Sequence, residues 1–431
     1  MDILGHILEG VSALLGVWLM VMLIYQLYLT AFGFRRDTGR DYQPHEPQAR
    51  FLVLVPAHNE AEVIGDIVDN LQQMDYPREM YDFYIIADNC TDDTAERARS
   101  LGAGVIETCR ESPQAPTGKP IALKKALESL GDYQNRYDLL MIFDADNLMD
   151  RHLFREVNSQ YIDKGRPDFI QCYLGAKNKQ GVVAWFYYTS YTITNRFFQL
   201  AKHRRGLNCS IGGTGFAMST QYLHDRGGWT TMSLTEDFEI QVEATLDGRR
   251  ILWNHNARIY DEKPTSLKAS IRQKLRWGQG HWFVCLRNTG KVFRSLAQRK
   301  IGVREFISVL TYMYSLSAYV VAALQLIIGL ALHFLPYEQQ TSAGGLGGIV
   351  TGLVLFCYSY FALFYIADWI DNRIPFRLST VPLMIVSFFA NIIVGVINQV
   401  AGLLLCRRQQ HWVKTEHKLH RPGKDQHAVH S

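Results

Sequence analysis

The feature that most limits how this 431-residue chain can fold is the uneven distribution of its apolar residues. Residues 11–32 contain no charged side chain and are about as long as the ~20-residue helix that crosses a bilayer. Three further apolar stretches follow, at about 309–335, 344–367 and 377–405. Residues 36–300, between these ends, have the composition of a water-soluble α/β domain. The sequence therefore predicts one domain of about 250 residues held between membrane segments.

Charges beside the first apolar segment predict its orientation. Asp2 and Glu9 precede it, whereas Arg35 and Arg36 follow it. A cleavable signal peptide would have basic residues before its apolar run, so an uncleaved anchor over 1–35 is favoured. Because basic residues stay in the cytoplasm, the N-terminus is expected outside and the central domain inside. This predicts a multi-pass protein of the plasma membrane with a cytoplasmic domain.

The last apolar stretch is expected to lie in the membrane plane or to re-enter. The connection at 336–345 has no Lys or Arg, as expected outside, and the next connection has Arg373 and Arg377, as expected inside. If residues 377–405 crossed, the six basic residues of the tail at 407–431 would lie outside. The stretch also contains polar side chains that are unfavourable against lipid: Asn391, Asn398 and Gln399.

Composition excludes some classes of function. The net charge of +4 is small, and no basic stripe is interleaved with aromatic residues, so no nucleic-acid partner is expected. The seven cysteines are far apart and form no CxxC pair, so neither a zinc site nor a disulfide framework is indicated.

The central domain alternates predicted strands and helices, which is typical of a parallel sheet with right-handed crossovers. The predicted strands are 51–55 (ended by Pro56), 83–87, 105–106 and 139–143, and the predicted helices are 60–74, 94–101 and 120–130. Ligands of such sheets bind at the carboxyl ends of the strands. Neither a GxGxxG turn nor a P-loop lysine follows the first strand, so no dinucleotide cofactor or P-loop chemistry is indicated.

Acidic residues follow two of the predicted strands. Asp144 and Asp146 form a DxD pair, and such hard oxygen ligands suit Mg²⁺ or Mn²⁺ bridging a diphosphate. Asp88 can accept hydrogen bonds from a uracil or ribose edge. For all three residues, ordinary loop capping and turn formation is an alternative of similar weight.

Two later motifs have a structural and a functional interpretation. Thr235-Glu236-Asp237 is predicted to begin a helix. In the structural interpretation, Ser233 and Glu236 form a capping box at this helix start. In the functional interpretation, Asp237 is a general base that takes a proton from an acceptor hydroxyl. Gln273, Arg276 and Trp277 share one helical face. Arg276 can neutralise a departing diphosphate and Trp277 can support a sugar ring. The alternative for 265–304 is a basic, aromatic helix lying on an anionic membrane surface.

Taken in order, these motifs resemble the processive family 2 glycosyltransferases, which include bacterial cellulose, hyaluronan, chitin and poly-N-acetylglucosamine synthases. The likeness covers residues 51–285. The matching segments are Val55–Glu60, Ala87–Asp92, Gly118-Lys119-Pro120, Asp144-Ala145-Asp146, Thr235-Glu236-Asp237 and Gln273-Lys274-Leu275-Arg276-Trp277.

The resemblance implies a GT-A (Rossmann-like) fold, a UDP-sugar donor, a divalent metal (Mg²⁺ or Mn²⁺) and inversion at the anomeric carbon. It makes Asp237 the base, with Glu236 beside it, and Asp146 the metal ligand. The donor-binding residues that it implies are Ala57, Glu60, Asp88, Lys119, Asp144, Gln273, Arg276 and Trp277, with Asp88 on uracil and the last three also lining the acceptor.

Two further segments look like family features. Gly212–Gly215 is where these enzymes shape the acceptor end of the site, and glycine permits a close approach of backbone to sugar. Trp412–His417 resembles a gating loop that closes over the donor, although His417 stands where relatives have Lys or Arg. Asn89 and Cys90 also stand where these enzymes more usually have an acidic residue followed by glycine.

The predicted function is transfer of a hexose or N-acetylhexosamine from a UDP-sugar to a growing β-linked polysaccharide. The alternative is transfer of one sugar to a lipid-linked acceptor, and a transporter or inert scaffold is disfavoured because the charged motifs lie outside the apolar segments. With about three membrane segments, a homo-oligomer or a separate exporter is a possible source of the pore. The predicted domains are 1–35 (anchor), 45–260 (catalytic), 261–305 (interfacial), 306–406 (membrane) and 407–431 (tail).

Overall fold

The structure, a computed structural model, describes residues 2–37, 39–112, 115–334 and 346–409. Its strands are β1 Phe51–Ala57, β2 Tyr81–Asp88, β3 Gly104–Thr108, β4 Leu139–Ile142, β5 Leu148–Met149, β6 Phe169–Ala176, β7 Phe216–Ser219 and β8 Ile251–Asp261. Its helices are α1 Asp2–Gly33, α2 Ile64–Gln72, α3 Thr94–Ser100, α4 Lys119–Leu130, α5 Leu153–Asp163, α6 Gly181–Thr194, α7 Ala201–Arg204, α8 Thr220–Asp225, α9 Glu236–Leu246, α10 Leu267–Ala297, α11 Val303–Met313, α12 Ser317–Phe334, α13 Leu346–Asn372 and α14 Val381–Leu405.

The eight strands form one mixed sheet in the order β3-β2-β1-β4-β7-β6-β8-β5. The four predicted strands are its parallel half, with β2 and β4 on either side of β1. Beyond β4 the sheet was not predicted: β7 runs antiparallel to β4 and β6, while β6 and β8 are parallel. Pro56 lies inside β1 instead of ending it. Pairing with β4 has already stopped at Leu54, so the missing N–H of Pro56 removes no bond to β4.

Apolar side chains of the central strands pack on both faces of the sheet, which explains why the strand at 51–55 is apolar throughout. Phe51, Val53 and Val55 belong to the core under α2 and α5, whereas Leu52 and Leu54 belong to the core under α4. The predicted helix at 60–74 begins only at Ile64, after a turn. Burial on both faces holds the strand ends, and the loops that follow them, in place.

The apolar helices near the C-terminus differ from the prediction in one respect. The stretch at 309–335 is divided into α11 and α12, which meet at a 62° bend. By length and composition, Ile3–Gly33 and Leu378–Leu405 are each suited to crossing a membrane, and the bent pair adds a third candidate among the described residues. The in-plane placement of 377–405 therefore stays a prediction. The proposed gating segment at 412–417 lies outside the described residues.

The helix α10 is more than a surface helix. Its buried residues include Gly278, Gly280 and Trp282, and it packs along α14. A Cβ at Gly278 would lie 2.9 Å from the Asn398 oxygen, and a Cβ at Gly402 would lie 2.7 Å from the Gly278 carbonyl carbon. Two glycines therefore allow the backbones of α10 and α14 to cross in contact.

Candidate active site

The loop after β4 holds Asp144 and Asp146 in a defined conformation. The Asp144 N–H donates to Asn147 Oδ1 (3.2 Å) and Thr214 Oγ1 (3.1 Å), and both partners are buried. Asp146 is also buried, and its Oδ2 accepts the Glu262 N–H at 2.9 Å. Hydrogen bonds from two other loops therefore fix the DxD pair at the carboxyl end of the sheet.

Lys119 links this loop to the acidic helix start. Its Nζ donates to Asp144 Oδ1 (2.7 Å) and to the Gly213 carbonyl (2.6 Å), and lies 3.9 Å from Glu236 Oε1. Gly118, directly before α4, has φ +114°, a conformation that favours glycine and starts the helix at Lys119. Lys119, which the resemblance makes a donor-binding residue, thus lies between the DxD loop, the Gly213 carbonyl and the start of α9.

The helix start at Glu236 is not a capping box. Ser233 Oγ finds no hydrogen-bond partner in the described structure, and Glu239 Oε2 instead accepts the N–H groups of Met232 and Ser233. Glu239 therefore does the capping work that the sequence assigned to Glu236. This removes the capping-box interpretation of Glu236, whose carboxylate instead lies 3.9 Å from Lys119. Glu236 and Asp237 do lie in the first turn of α9, where acidic residues are common.

Burial shapes the acidity of Glu236 and Asp237. Burial raises the pKa of Glu236 to about 7, against the opposing charge of Lys119. Burial also raises the pKa of Asp237, while the Phe238 N–H and Lys119 oppose it. The structure also sets Asp237 against Gly213, because a Cβ there would lie 3.1 Å from Asp237 Oδ2. A carboxylate with a raised pKa in a buried site has the basicity that proton transfer near neutral pH requires.

The QxxRW residues reach the same region from α10. Burial lowers the pKa of the Arg276 guanidinium, and the charges of Glu236, Asp144 and Asp237 oppose that effect. Its Nε has no hydrogen-bond partner in the described structure. Gln273 Oε1 accepts the Tyr187 hydroxyl at 2.8 Å, and the Trp277 ring meets the Tyr187 ring edge-on at 6.2 Å. Arg276 therefore belongs to the acidic cluster, while Gln273 and Trp277 flank it on the side of α6.

Asp88 lies at the end of β2, and Ala57 at the end of β1 beside it. Asp88 Oδ1 accepts the Thr108 hydroxyl at 2.8 Å, and burial raises its pKa against that bond and the charge of His58. The Glu60 N–H donates to Thr94 Oγ1 at 2.8 Å. These three predicted donor-binding residues share the sheet edge with the DxD loop. Their described side-chain partners lie in β3, α3 and the loops after β1 and β2, and none of them belongs to the Lys119 cluster.

Sequence reasoning missed a third acidic position. Asp261 ends β8, and its Oδ1 lies 2.6 Å from Lys263 Nζ, which sits 3.4 Å above the Tyr191 ring. Burial raises the pKa of Asp261 to about 6, with Lys263 opposing and Asp146 reinforcing the shift. An acidic residue at a strand end is the same signal that identified Asp88 and Asp144. Because β8 was not predicted from the sequence, Asp261 could not be recognised as a residue of this kind.

The donor set fits a divalent metal that arrives with a diphosphate. Among the described residues, no group of three or more His, Cys, Asp or Glu side chains is arranged to hold a metal. Asp144, with 45% of its side chain exposed, and the buried Asp146 supply two carboxylates. Mg²⁺ in proteins is commonly held by one or two carboxylates together with substrate phosphates and water.

The mixed sheet, with carboxylates and cations at the carboxyl ends of its parallel strands, agrees with the predicted GT-A fold. A sequence model of the family described as "Glycosyltransferase like family 2" matches residues 47–280. That match covers more than half of the chain, so the protein belongs to glycosyltransferase family 2. The family and the fold predicted from the motifs are confirmed.

Three relatives show how far the similarity extends. The chain is 22% identical to the probable glycosyltransferase YdaM of Bacillus subtilis over 365 residues, covering 82% of this chain and 84% of that protein. It is 26% identical to the beta-monoglucosyldiacylglycerol synthase of Synechocystis sp. over 281 residues (62% and 56%). It is 24% identical to the poly-beta-1,6-N-acetyl-D-glucosamine synthase of Staphylococcus aureus over 238 residues (54% and 55%). The matches to the last two proteins span little more than half of their length.

Among solved structures, the chain is similar to the mannosyltransferase PcManGT from Pyrobaculum calidifontis, determined with GDP-Man and Mn²⁺. The TM-score is 0.59 at 16% identity, and the similarity covers 91% of this chain and 99% of that one. The two chains therefore share the fold over nearly their whole length.

Proposed function

We propose that this glycosyltransferase moves a hexose or N-acetylhexosamine from a UDP-sugar to a growing β-linked polysaccharide, with inversion. The observation that carries the proposal is the cluster of Lys119, Asp144, Glu236, Asp237 and Arg276. It combines buried acids with raised pKa values, suited to removing a proton, and two cations suited to a leaving diphosphate.

In the proposed reaction, Asp237 removes the proton of an acceptor hydroxyl as its oxygen attacks the anomeric carbon. The bond from that carbon to the phosphate oxygen breaks in line, and UDP leaves with the electron pair. Arg276 and Lys119 face the developing negative charge and stabilise it. Glu236, next to Asp237 and held near Lys119, keeps the local charge balanced as the proton moves.

Asp146 and Asp144 would hold the divalent ion, Mg²⁺ or Mn²⁺, which supplies neutralising charge to the diphosphate. Asp88 and Ala57, at the ends of β2 and β1, would line the nucleotide.

Asp146→Ala should abolish metal-dependent UDP binding, measured by titration calorimetry with and without Mn²⁺. Unchanged binding would remove Asp146 from the metal site.

Asp237→Asn tests the base directly. It should lower transfer by about 10²- to 10⁴-fold, because the amide that replaces the carboxylate cannot accept the proton, while UDP binding persists. Asp247→Asn, at an exposed position directly after α9, is the matched control and should leave transfer unchanged. Turnover retained by Asp237→Asn would contradict the assignment.

Transfer of a single sugar to a lipid is the second candidate, and the relative named beta-monoglucosyldiacylglycerol synthase favours it. Membranes containing the protein would be given labelled UDP-glucose and UDP-N-acetylglucosamine in turn, with Mg²⁺ or Mn²⁺, and the product would be sized. A polymer selects the synthase, and one labelled glycolipid selects the alternative.

The proposed setting is the plasma membrane, with the catalytic domain at 45–260 in the cytoplasm and 261–305 at the interface. Two helices suited to crossing a membrane, and a third candidate in the bent pair, support a membrane location. A homo-oligomer or a separate exporter would complete the path for a polymer.

A further inference from the structure

An aromatic stack connects the proposed base to α10. Phe238, the residue after Asp237, lies face to face with the ring of His281, with centroids 4.4 Å apart and planes within 6°. Tyr312 of α11 closes the group by meeting the Phe238 ring edge-on at 5.4 Å. Phe238 and His281 are both buried. The first turn of α9 therefore rests on a ring that belongs to the QxxRW helix.

The same histidine is bonded to the bend between α11 and α12. His281 Nε2 lies 2.6 Å from the carbonyl oxygen of Met313, the last residue of α11. A helix that ends in a bend leaves carbonyls without helical partners, and Cys285 Sγ donates to this same oxygen at 2.8 Å. Two side chains of α10 therefore satisfy the carbonyl at the 62° bend.

The protonation of His281 follows from its surroundings. A carbonyl oxygen only accepts, so Nε2 must carry the proton and donate it to Met313. Burial lowers the pKa of His281 to about 4, so the ring is neutral near neutral pH. One hydrogen bond thus sets both the tautomer and the plane of the ring that supports Phe238.

Close packing beside the aromatic stack leaves little room for α10 to move relative to the start of α9. A Cβ at Gly280, the residue before His281, would lie 2.5 Å from Thr235 Oγ1 and 2.8 Å from the Thr235 nitrogen. The α10 backbone therefore contacts Thr235, the N-cap residue of the helix that begins with Glu236 and Asp237. A displacement at the bend has a short path to the proposed base, through His281 and Phe238.

We propose that His281 is a positioning residue, which transmits the position of the α11–α12 bend to Asp237 through its stack on Phe238 and its bond to Met313. This rests on the proposed function, because it assumes that Asp237 is the base. Its consequence is that the placement of the membrane helix sets the alignment of the base with the acceptor hydroxyl, without His281 touching substrate.

Two substitutions separate the two contacts. His281→Gln keeps a donor for Met313 but removes the ring, whereas His281→Phe keeps the ring but removes the donor. Each should lower kcat about 10- to 100-fold with KM for the UDP-sugar within about 3-fold, because misalignment affects the transition state more than donor binding. Cys285→Ala, which removes only the second donor, should keep near-normal kcat. His281→Phe combined with Cys285→Ala should lose more than the product of the single effects, because no donor then remains for Met313.

The outcomes are distinct from those for the proposed function. Wild-type kcat in both His281 variants, whatever their thermal stability, would overturn the positioning role, and so would a rise in KM alone. Active Asp237→Asn would instead overturn the base. If His281→Gln does not fold, Phe238→Leu removes the same stack from the other side and should show the same kcat loss with UDP binding retained.

Discussion

Lys119 is the residue on which the charge balance of the site depends. It bonds Asp144 and the Gly213 carbonyl and faces Glu236, so it connects two loops with the start of α9 and lies near two carboxylates. Lys119→Met should raise the pKa of Glu236 above about 7 and reduce kcat/KM at least about 10-fold. Lys124→Met, on an exposed position of the same helix, is the matched control. Equal kcat/KM for the two variants, measured with labelled donor, would contradict the role of Lys119.

The pH dependence follows from the same acids. Glu236 and Asp237 have raised pKa values, and the base must be ionised to accept a proton. Because burial raises the pKa of the proposed base Asp237, transfer should fall at acidic pH, at a pH above the ordinary range of an aspartate, and reach a plateau at higher pH. The pH–rate profile of kcat checks this, and a profile flat from pH 5 to 8 would rule out a base with a raised pKa.

The raised pKa of Glu236 also predicts that the free energy of unfolding falls as pH rises, whereas transfer increases with pH. The folded state holds a proton on Glu236 up to about pH 7, whereas the unfolded chain releases it near pH 4.5. Glu236 therefore lowers the free energy of unfolding as pH rises from about 4.5 to 7. Glu236→Gln should reduce the loss of melting temperature between pH 5 and 8, with Glu243→Gln as the control on the same helix. An unchanged difference would contradict this.

Elements are held together where glycine lets backbones touch. Gly278→Ala should push α10 from α14 and displace Arg276, two residues away, lowering both stability and transfer. Gly290→Ala on the same helix meets nothing within 4 Å and should stabilise by about 1 kcal/mol through helix propensity alone. Melting temperature and kcat would be compared for the pair. Similar behaviour of the two variants would contradict the close crossing.

A buried ion pair joins α13 to the catalytic domain. Asp371 pairs with Arg196, on the π-helical turn at Asn195–Leu200, and with His255 of β8 at 3.0 Å. Asp371→Ala would leave the buried Arg196 without its counter-charge and should cost about 3–5 kcal/mol. Glu107→Ala, which breaks an exposed pair with Arg99, should cost less than about 1 kcal/mol. Chemical unfolding of both variants measures the difference, and equal costs would refute it.

At the scale of the whole molecule, the distribution of basic residues predicts the membrane topology of the C-terminal tail. The six basic residues of the tail predict that it stays in the cytoplasm, although Leu378–Leu405 is suited to a crossing. A fluorescent protein fused to the C-terminus should be bright, and alkaline phosphatase fused there should be inactive. Active phosphatase would show that this helix crosses.

Motifs and periodicity were sufficient for half of the sheet. The four parallel strands are apolar runs followed by polar loops, a signal that needs no partner to be recognised. Strands β6, β7 and β8 gave no such prediction, because their identity depends on pairing across distant segments. Asp261 was missed for that reason, and Glu236 acquired an incorrect capping alternative because Glu239 takes that role only once the loop is folded.

The sequence by itself determined the class of protein: apolar segments long enough to span a membrane towards both ends, a GT-A domain between them, and an ordered series of acidic and basic motifs. Those properties depend on residue type and spacing within short stretches of the chain, so they can be recognised without knowing which distant segments pack together. Only the tertiary structure decided that Lys119 contacts Asp144 and lies near Glu236, that Asp261 ends a strand beside the Asp146 loop, and that His281 contacts both Phe238 and the carbonyl of Met313. Such relations require side chains from distant segments to share one buried volume, and their energies depend on burial that no single segment contains.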